Sequence, residues 1–318
     1  MQNAYHAPDR VAVVTTSYPA FADDWVGHFV RAEVLELVAA GVDVTVLTPR
    51  VGASDAGVRV GSTGTAGAMS AFGPPGVLAR VAAFPPRALS AAAWMVRASK
   101  ELREGRFDRI IAHWAVPGAW PIAALGQRQT PLEVVSHGGD VRLLLAMPAP
   151  LRNRVVSAIV TRADVWRFVS SELRDALASG MPKGGALAAR VREKSIVRAP
   201  ALQMVDVSRR ASALRSDLGV FDVSVGRLVP SKRIDRAIAN AAKKRALLVV
   251  IGEGPERPAL ERQAKRASAR VRFVGDLPRG EALAYLAAAD SLVFASEAEG
   301  CSTVVREAQA LHTRVDWI

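Results

Sequence analysis

Two acidic residues, Glu299 and Glu307, follow the apolar run Ser291–Ala295 and lie eight positions apart across a Gly-Cys-Ser turn. This pattern predicts a buried strand, then a loop that carries Glu299, and then a helix that starts near Ser302 and carries Glu307. Ligands of open α/β sheets bind at the loops that follow the carboxyl ends of strands. The free N–H groups of a first helical turn favour phosphate oxygens, and a carboxylate one turn further accepts hydrogen bonds from ribose hydroxyls. The residues expected to bind phosphate here are Gly300, Cys301, Ser302 and Thr303.

The same spacing has a simpler interpretation. The helix dipole favours glutamate near a helix N-terminus, so both acids could instead be solvated surface residues. The turn also holds the only cysteine of the sequence, Cys301, which excludes an intrachain disulfide and fits a reducing compartment. Because nothing in the sequence places a base beside Cys301, we interpret it as a small buried or loop residue rather than a nucleophile.

A second group of candidates lies in the last third of the sequence, where Arg227 and Lys232 follow the predicted strand Phe221–Val225. Arginine offers a planar fork of donors and lysine a compact charge, so the two together suit a diphosphate. The alternative is that both are ordinary solvated cations in a basic protein. The first interpretation predicts a phosphate-binding segment directly after this strand.

Two further candidates, His137 and Asp140, flank a pair of glycines after the predicted strand Glu133–Ser136. Glycines let a backbone approach a ligand closely, which makes His137 a candidate active-site residue. The alternative is a core histidine that is satisfied by the backbone. Asp140 is expected either to orient this loop or to contact a ligand. Trp114 lies at the end of another predicted strand, and we expect it to be a wall or core residue rather than a catalyst.

Length, composition and charge limit the possible protein classes. The chain has 318 residues, half of them hydrophobic, which is long for one core and suggests two α/β domains. Its net charge of +12 is spread over both halves, without the basic stripe and interleaved aromatics typical of nucleic-acid-binding proteins. A basic surface favours anionic nucleotides through long-range steering, and it equally favours anionic lipid headgroups. We find no signal peptide or membrane span, so we expect a cytoplasmic protein, soluble or peripheral at the inner face of the membrane.

The elements that must position these residues follow from the hydrophobic pattern. Short apolar runs alternate with helical segments, which is typical of parallel sheets wound on both sides. In the first half the predicted strands are Val11–Thr16, Val42–Leu47, Arg109–Ala112, Glu133–Ser136, Trp166–Val169 and Ser195–Val197, with helices over His28–Ala40 and Pro117–Gly126 and from Ser170. In the second half they are Phe221–Val225, Ala246–Ile251, Val271–Val274 and Ser291–Ala295, with Thr313–Ile318 as a candidate fifth. Arg50–Pro86 is predicted to be irregular, either a surface loop or a binding loop, and Pro200–Gly219 to separate the halves.

These segments occur in the order found in one large protein family. The spacing of Glu299 and Glu307 resembles the Glu-x7-Glu signature of retaining GT-B glycosyltransferases of family 4, which include teichuronic-acid-type and phosphatidylinositol mannosyltransferases. The other matching segments are Val225–Lys232 (VGRLVPSK), Val250–Pro255 (VIGEGP), Val271–Gly275 with Ala289-Asp290, Ser136–Asp140 (SHGGD) and Ala112–Pro117 (AHWAVP). Each motif is weak alone, but the ordered set is specific, and it runs from about Arg10 to the last residues.

The resemblance implies a GT-B fold of two Rossmann-like α/β domains that face each other across a cleft. It implies transfer of a sugar from a nucleotide diphosphate sugar to a hydroxyl acceptor (a glycan, a lipid-linked or a small molecule), with retention of anomeric configuration. No cofactor is implied, and the sequence lacks a DxD pair or a Cys/His cluster with metal-ligand spacing. The implied donor-binding residues are Gly27, Gly226, Arg227, Lys232, Gly300, Cys301, Ser302, Thr303 and Glu307, the last on the ribose. The implied catalytic residues are His137, Arg227, Lys232 and Glu299, and the implied acceptor-side residues are Asp140 and Trp114.

The sequence also departs from the family pattern. It stops at Ile318, so residues 203–318 are expected to form a shortened nucleotide-sugar-binding domain next to an acceptor-side domain of residues 1–202. His312 and Arg314 stand where the family commonly has a small residue and proline. These departures suggest an alternative function, a weak or inactive relative that binds a nucleotide sugar or a partner protein. The sequence leaves the oligomeric state open.

Overall fold

The computed structural model of the chain describes residues 9–21, 24, 26–49, 55–62, 69–73, 77–125, 130–182, 184–296 and 301–318. The chain divides into two compact units, Met1–Ala201 and Leu202–Ile318, which we call the N-unit and the C-unit. Each unit is built around a parallel sheet of its own. Glu299 and Gly300, two of the predicted site residues, lie outside the described residues.

The sheet of the N-unit is parallel throughout. Its described strands are β1 (Arg10–Val14), β2 (Asp43–Thr48), β3 (Val58–Ser62), β4 (Arg109–His113), β5 (Leu132–Ser136), β6 (Val165–Phe168) and β7 (Ser195–Val197). Their order is β3-β2-β1-β4-β5-β6-β7. Strand β1 is central, because Val13 pairs with Val46 of β2 on one side and with Ile111 of β4 on the other. Valine-rich and isoleucine-rich central strands are expected where both faces of a parallel sheet are covered.

Helices connect these strands, and local sequence explains where several of them begin and end. The described helices of the N-unit are α1 (His28–Ala39), α2 (Val77–Ala83), α3 (Ala88–Glu104), α4 (Trp120–Leu125), α5 (Gly139–Ala146), α6 (Ala149–Arg162), α7 (Ser171–Ser179) and α8 (Ala186–Glu193). Ser170 caps α7 by accepting a hydrogen bond from the Leu173 N–H at 3.4 Å. Gly41, at φ 83°, follows α1 where a stop was predicted. Val30 and Val34 of α1 belong to the buried apolar cluster that α1 forms with the sheet.

Two sequence predictions for this region need correction. Arg50–Pro86 was expected to be irregular, but its described residues include β3 and α2, whose small and glycine-containing stretches hide the usual patterns. The predicted helix Pro117–Gly126 is interrupted, since a kinked turn with a cis Val116-Pro117 bond precedes α4. Pro200–Gly219, which was predicted to separate the halves, contains the boundary between the two units, and its second part forms a regular helix over Ser208–Leu218.

The C-unit repeats the architecture on a smaller scale. Its described strands are β8 (Asp222–Val225), β9 (Leu248–Ile251), β10 (Val271–Gly275), β11 (Ser291–Phe294) and β12 (Arg314–Trp317), and its described helices are α9 (Ser208–Leu218), α10 (Ile234–Lys244), α11 (Arg257–Arg266), α12 (Arg279–Ala288) and α13 (Thr303–Ala310). The strand order is β10-β9-β8-β11-β12, and each neighbouring pair is parallel.

The four strands predicted for the second half are present, and so is the candidate fifth. This fifth strand, β12, pairs with β11 at the edge of the sheet. Asp316 of β12 accepts hydrogen bonds from Lys244 (3.0 Å) and from Ser291 (3.1 Å). Trp317 packs edge-on against Phe294, with ring centroids 4.9 Å apart. Side-chain contacts therefore fix this edge strand in addition to its backbone pairing.

Among the described helices of both units, none has the length and the apolar character needed to cross a bilayer.

Candidate functional sites in the two units

Four aromatic side chains meet where β4 and β5 end, and we call them the ring cluster: Phe29, His113, Trp114 and His137. His113 is the last residue of β4 and His137 follows β5, so the parallel pairing of these strands brings the two histidines side by side. Their rings stack at 12° with centroids 5.1 Å apart, and His113 Nδ1 lies 2.9 Å from His137 Nε2. Trp114 and Phe29 contact the His137 ring, with centroid distances of 4.9 and 4.8 Å.

The surroundings of the ring cluster hold both histidines neutral. His113 is buried, and this burial, reinforced by the charge of Arg167, lowers its pKa to about 3. Burial, the neighbouring His113 and Arg167 also lower the pKa of His137 well below its ordinary value. In a neutral pair one ring nitrogen donates the shared hydrogen bond and the other accepts it. At neutral pH His137 therefore acts as an oriented hydrogen-bonding group and not as a cation.

Asp140 ties together the loops that follow β4 and β5. The side chain is buried, with 2% exposure, at the start of α5. Its Oδ1 accepts hydrogen bonds from the N–H groups of His137 (3.1 Å) and Gly138 (3.0 Å), and its Oδ2 accepts one from Ala115 (2.8 Å). Of the two roles that the sequence suggested, this geometry supports the orienting one. A contact between Asp140 and an acceptor stays a prediction.

Gly27 is the residue that precedes α1, two residues before Phe29 of the ring cluster. It has a φ of 78°, and a Cβ added to it would lie 2.1 Å from the carbonyl oxygen of Ser17. The close approach of the two backbones, together with the left-handed conformation, makes glycine necessary here for the fold itself. Its predicted contact with donor phosphate stays a prediction.

A buried arginine that sequence analysis did not single out, Arg167 of β6, joins this region to α1. Its guanidinium pairs with Glu33 of α1 and, through Nε at 2.8 Å, with Glu133 of β5. Arg198 lies 3.7 Å from the same Glu133 carboxylate, and all four side chains line a cavity of about 310 Å³. The sequence does contain one sign of this site, an arginine inside the short apolar strand Val165–Phe168. A charge buried in such a strand requires charged partners.

In the C-unit the predicted phosphate-binding segment follows β8. Arg227 is exposed, and Lys232 is half-buried at the end of a short helical turn, Pro230–Lys232. The stem of Lys232 extends over Gly226, since a Cβ added to that glycine would lie 3.7 Å from Lys232 Cδ and Cε. The strand order reverses between β8 and β11, and open α/β sheets bind ligands at such a reversal. The basic pair therefore lies where this topology predicts a ligand.

The glycines after β9 allow two loops to pack backbone against backbone. A Cβ on Gly252 would lie 2.1 Å from the carbonyl oxygen of Gly226, and one on Gly254 would lie 2.3 Å from that of Leu228. Leu228 also donates its N–H to the carbonyl oxygen of Glu253 at 2.9 Å. The Gly-x-Gly turn that the sequence analysis noted therefore shapes the loop that carries the basic pair.

A hydrogen bond joins the loops after β8 and β11. Ser296, two residues beyond β11, donates its hydroxyl to the carbonyl oxygen of Ser231 at 3.2 Å, next to Lys232. The described chain resumes at Cys301, and Ser302 precedes the first residue of α13, Thr303. Cys301, Ser302 and Thr303 are half-buried. The predicted strand and helix are thus present, the loop between them lies largely outside the described residues, and the roles of Glu299 and Gly300 stay predictions.

Glu307 lies on the buried side of α13 and forms an ion pair with Arg279, the first residue of α12. Their side chains are only 10% and 18% exposed. Arg279 also donates a hydrogen bond of 2.5 Å to the carbonyl oxygen of Gln203, near the start of the C-unit. Sequence analysis did not single out Arg279, and nothing in its spacing marks it as a partner. The predicted contact of Glu307 with ribose stays a prediction.

The predicted residues thus fall into two groups, one in each unit. The N-unit brings together Gly27, Trp114, His137 and Asp140 around the ring cluster, and the C-unit brings together Gly226, Arg227 and Lys232. Within the described parts of the chain, no three His, Cys, Asp or Glu side chains are grouped so that they could hold a metal ion.

Comparisons with known proteins agree with both units. The family model of glycosyltransferase family 4 matches residues 26–184, which is half of the chain, and that of glycosyl transferases group 1 matches residues 209–315. No curated protein matches the chain by sequence.

Similar solved structures include sucrose-phosphate synthase from Thermosynechococcus elongatus, with TM-score 0.70, 19% identity, and coverage of 97% of this chain and 81% of that one. HepE of Anabaena in complex with UDP-glucose has TM-score 0.65 and 18% identity, with coverage of 97% and 80%. The catalytic domain of starch synthase IV from Arabidopsis thaliana, bound to ADP and acarbose, has TM-score 0.66 and 15% identity, with coverage of 98% and 83%.

The structural likeness confirms the predicted fold class, two Rossmann-like α/β domains of the GT-B glycosyltransferases. The chain belongs to the glycosyltransferases in which a family 4 domain precedes a group 1 domain.

Proposed function

We propose that this chain transfers a sugar from a nucleotide diphosphate sugar to a hydroxyl acceptor with retention of anomeric configuration. The acceptor is a glycan, a lipid-linked molecule or a small molecule, and the reaction needs neither cofactor nor metal. One observation carries the proposal. Arg227 and Lys232 lie at the strand-order reversal of the C-unit, and the hydrogen bond between Ser296 and Ser231 joins their loop to the one that follows β11.

The donor diphosphate binds at this reversal. Arg227 offers a fork of N–H donors and Lys232 a compact ammonium group, so the two side chains together neutralise phosphate oxygens. The N–H groups at the start of α13 add donors, since the first turn of a helix favours anions. Glu307 binds ribose hydroxyls, and Glu299 binds hydroxyls of the donor sugar. The UDP-glucose and ADP bound in two similar structures support a nucleotide diphosphate as the bound group.

The reaction breaks the bond between the anomeric carbon and the diphosphate oxygen, while the acceptor oxygen attacks from the same face. Arg227 and Lys232 stabilise the negative charge that develops on the departing phosphate, which is electrostatic catalysis. The acceptor hydroxyl gives its proton to this phosphate, so no protein base is required, and because the acceptor attacks directly, no protein nucleophile is required either. The neutral His137 is assigned a hydrogen bond to the reacting sugar, and Trp114 is assigned to a wall of the acceptor site.

The proposal is tested with the double substitution Arg227→Ala/Lys232→Ala. Donor binding is measured as thermal stabilisation by UDP, GDP, ADP and TDP and their sugars, and transfer is then measured with the donor that binds. We expect the wild type to be stabilised by one nucleotide class and the double variant to lose both the stabilisation and the transfer. Lys265→Ala/Arg266→Ala on α11 is the matched control, because it removes the same charge from an exposed helix.

The outcomes separate the two functions that the sequence suggested. Near-normal transfer by the Arg227/Lys232 variant would refute the assigned phosphate site. Selective nucleotide binding by the wild type without transfer to any acceptor would instead support the alternative, a non-catalytic relative that binds nucleotide sugars. If no nucleotide stabilises the folded wild-type chain, both interpretations of the C-unit are wrong.

A further inference from the structure

One stretch of the N-unit has an unusual charge composition. Residues 56–100 contain five basic side chains and no aspartate or glutamate. The chain as a whole has 30 acidic residues among 318, so a stretch of this length would ordinarily contain about four. The described part of the stretch includes α2, the turn Pro85–Arg87 and most of α3. Its positive potential is therefore not offset by acids within the same stretch.

Helix α3 is anchored through one face only. Ala91, Trp94, Ala98 and Leu102, spaced three or four residues apart, are buried along this face. Trp94 contacts Phe72 edge-on, with ring centroids 5.3 Å apart. The orientation of the helix is therefore fixed by packing on the N-unit, and its opposite face is fixed with it.

The opposite face of α3 carries large apolar side chains in its first half. Leu89 and Val96 are 75% and 65% exposed, and they lie seven residues apart, which is two helical turns. Phe84, just before the helix, is 43% exposed, and the intervening Pro85 and Pro86 are exposed as well. We call Phe84, Leu89 and Val96 the apolar patch. Exposed leucine and valine are ordinary one at a time, but two that repeat on one helix face, with an exposed phenylalanine just before the helix, mark a candidate interaction surface.

Cations continue the same face into the second half of α3. Lys100 and Arg103 lie four and seven residues after Val96, so they project on the side of the apolar patch, and Arg97 lies at its edge. All three are exposed. Arg87 adds a fourth cation, with its guanidinium 5.6 Å from the centre of the Phe84 ring.

Two acids, Glu101 and Glu104, lie near these cations at the end of α3. Lys100 is 3.8 Å from Glu104, an exposed pair that water and salt weaken. The helical spacing places Glu101 off this face, whereas Glu104 lies between Lys100 and Arg97 at its edge. Glu104 therefore lowers the net positive charge of the face, and Leu89, Val96, Lys100 and Arg103 still form one continuous line along the helix.

We propose that the face formed by the apolar patch and by Arg97, Lys100 and Arg103 binds an anionic lipid bilayer. Apolar side chains that enter the boundary between headgroups and acyl chains, beside cations that contact lipid phosphates, are the combination by which surface helices bind membranes. Charge complementarity selects this partner. A symmetric contact with a second copy would bring the same cations of both chains together, and a nucleic acid would leave Leu89 and Val96 without an apolar partner. The inference is independent of the proposed reaction.

The test is flotation of the full chain with vesicles of phosphatidylcholine alone and with 30% phosphatidylglycerol, which needs no glycosyl donor. We expect binding to the anionic vesicles that decreases with added salt, and much weaker binding to the neutral ones. Leu89→Ser/Val96→Ser removes the apolar part, and Arg97→Gln/Lys100→Gln/Arg103→Gln removes three charges. Each lost charge is expected to weaken binding about fivefold, since a basic residue near an anionic surface contributes ~1 kcal/mol.

The control is Leu151→Ser/Arg154→Gln on α6, which changes an exposed leucine and an exposed arginine of the same unit. All the substituted side chains are exposed, so we expect unchanged melting temperatures, measured by circular dichroism. The proposal is wrong if the chain does not bind anionic vesicles or if the α3 variants bind like the control. It is also wrong if the α3 variants alter only a concentration-dependent dimer in light scattering, which would identify a second copy as the partner.

Discussion

Replacing Asp140 by Asn tests whether this carboxylate organises the loops around the ring cluster. In the protein, Asp140 Oδ1 accepts two backbone hydrogen bonds and Oδ2 accepts a third from Ala115 at 2.8 Å. Asparagine keeps one oxygen, which serves the first two bonds, and turns its amide NH2 group towards the Ala115 N–H. Two donors then face each other at a buried position, because Asp140 and Ala115 are 2% and 0% exposed.

The magnitude follows from these contacts. Leaving the buried Ala115 N–H unpaired costs about 1–3 kcal/mol. Loss of the negative charge weakens the two remaining bonds by roughly 0.5–1 kcal/mol each, since hydrogen bonds to charged groups are stronger than neutral ones. We expect Asp140→Asn to lower the free energy of unfolding of the N-unit by about 3 kcal/mol. For a unit of this size, that corresponds to a decrease in Tm of roughly 6–12 °C.

The assay is differential scanning calorimetry of the full chain, with Asp164→Asn as the matched control. Asp164 also accepts one backbone hydrogen bond, from Leu132 at 2.8 Å, but its side chain is 62% exposed and water can replace the lost acceptor. We expect this control to lower Tm by less than about 3 °C. Equal shifts for the two variants would refute the reasoning. Because Asp140 also holds the His137 backbone, transfer by Asp140→Asn should stay low at temperatures where the variant is folded.

Three further predictions concern other described contacts. Gly27→Ala should destabilise the chain by about 3 kcal/mol or more in urea unfolding, because the new Cβ would lie 2.1 Å from the Ser17 carbonyl oxygen and the backbone conformation is already strained for alanine. The control is Gly41→Ala, which has a similar φ and nothing within 4 Å, and it should cost only about 1–2 kcal/mol. The pKa of His113 is about 3 in the folded chain, which is below its unfolded value, so the native state binds fewer protons than the unfolded state. The free energy of unfolding should therefore fall as pH decreases from about 6.5 towards 3, by up to ~1.4 kcal/mol per pH unit. His113→Gln should flatten this slope in urea unfolding measured at several pH values. Arg279→Ala removes an ionic partner of the buried Glu307 and should lower the unfolding free energy of the C-unit by about 2 kcal/mol, with Arg279→Lys intermediate in the same assay; no loss would refute a stabilising role of the pair.

The sequence predicted the strands of the two sheets well, because buried parallel strands are short apolar runs whose residues satisfy both faces. It failed where composition hides the pattern. Strand β3 contains glycine and serine, and α2 is made mostly of small residues, so both lay inside a segment that looked irregular. The interruption before α4 depends on backbone geometry around Pro117, which no periodicity reports.

The positions of the candidate site residues were predictable where they depend on strand ends, while their roles stay predictions. His137 and Arg227 lie within two residues of a strand end and Lys232 lies in the loop after β8, and topology alone brings the loops after neighbouring parallel strands to the same edge of a sheet. Arg167 and Arg279 escaped prediction because their partners are far away in sequence. Arg167 pairs with a glutamate 134 residues away, and Arg279 with one 28 residues away. Such pairs depend on which helix covers which strand, which a single sequence does not specify.

Gly252→Ala offers a way to separate the positioning of the basic pair from its chemistry. The added methyl would lie 2.1 Å from the Gly226 carbonyl oxygen, at a residue whose φ of 125° already disfavours a side chain, so the loop that carries Arg227 and Lys232 must shift. Both cations stay in the chain, and the net charge is unchanged. If their geometry stabilises the departing diphosphate, nucleotide binding measured by calorimetry should weaken by about tenfold or more, because a lost charge-assisted hydrogen bond costs about 1.5–3 kcal/mol. Gly280→Ala, where nothing lies within 4 Å of the added methyl, is the control and should leave binding unchanged. Unchanged binding in Gly252→Ala with a folded C-unit would mean that charge alone holds the nucleotide, and that the packing of these two loops does not position the cations for it.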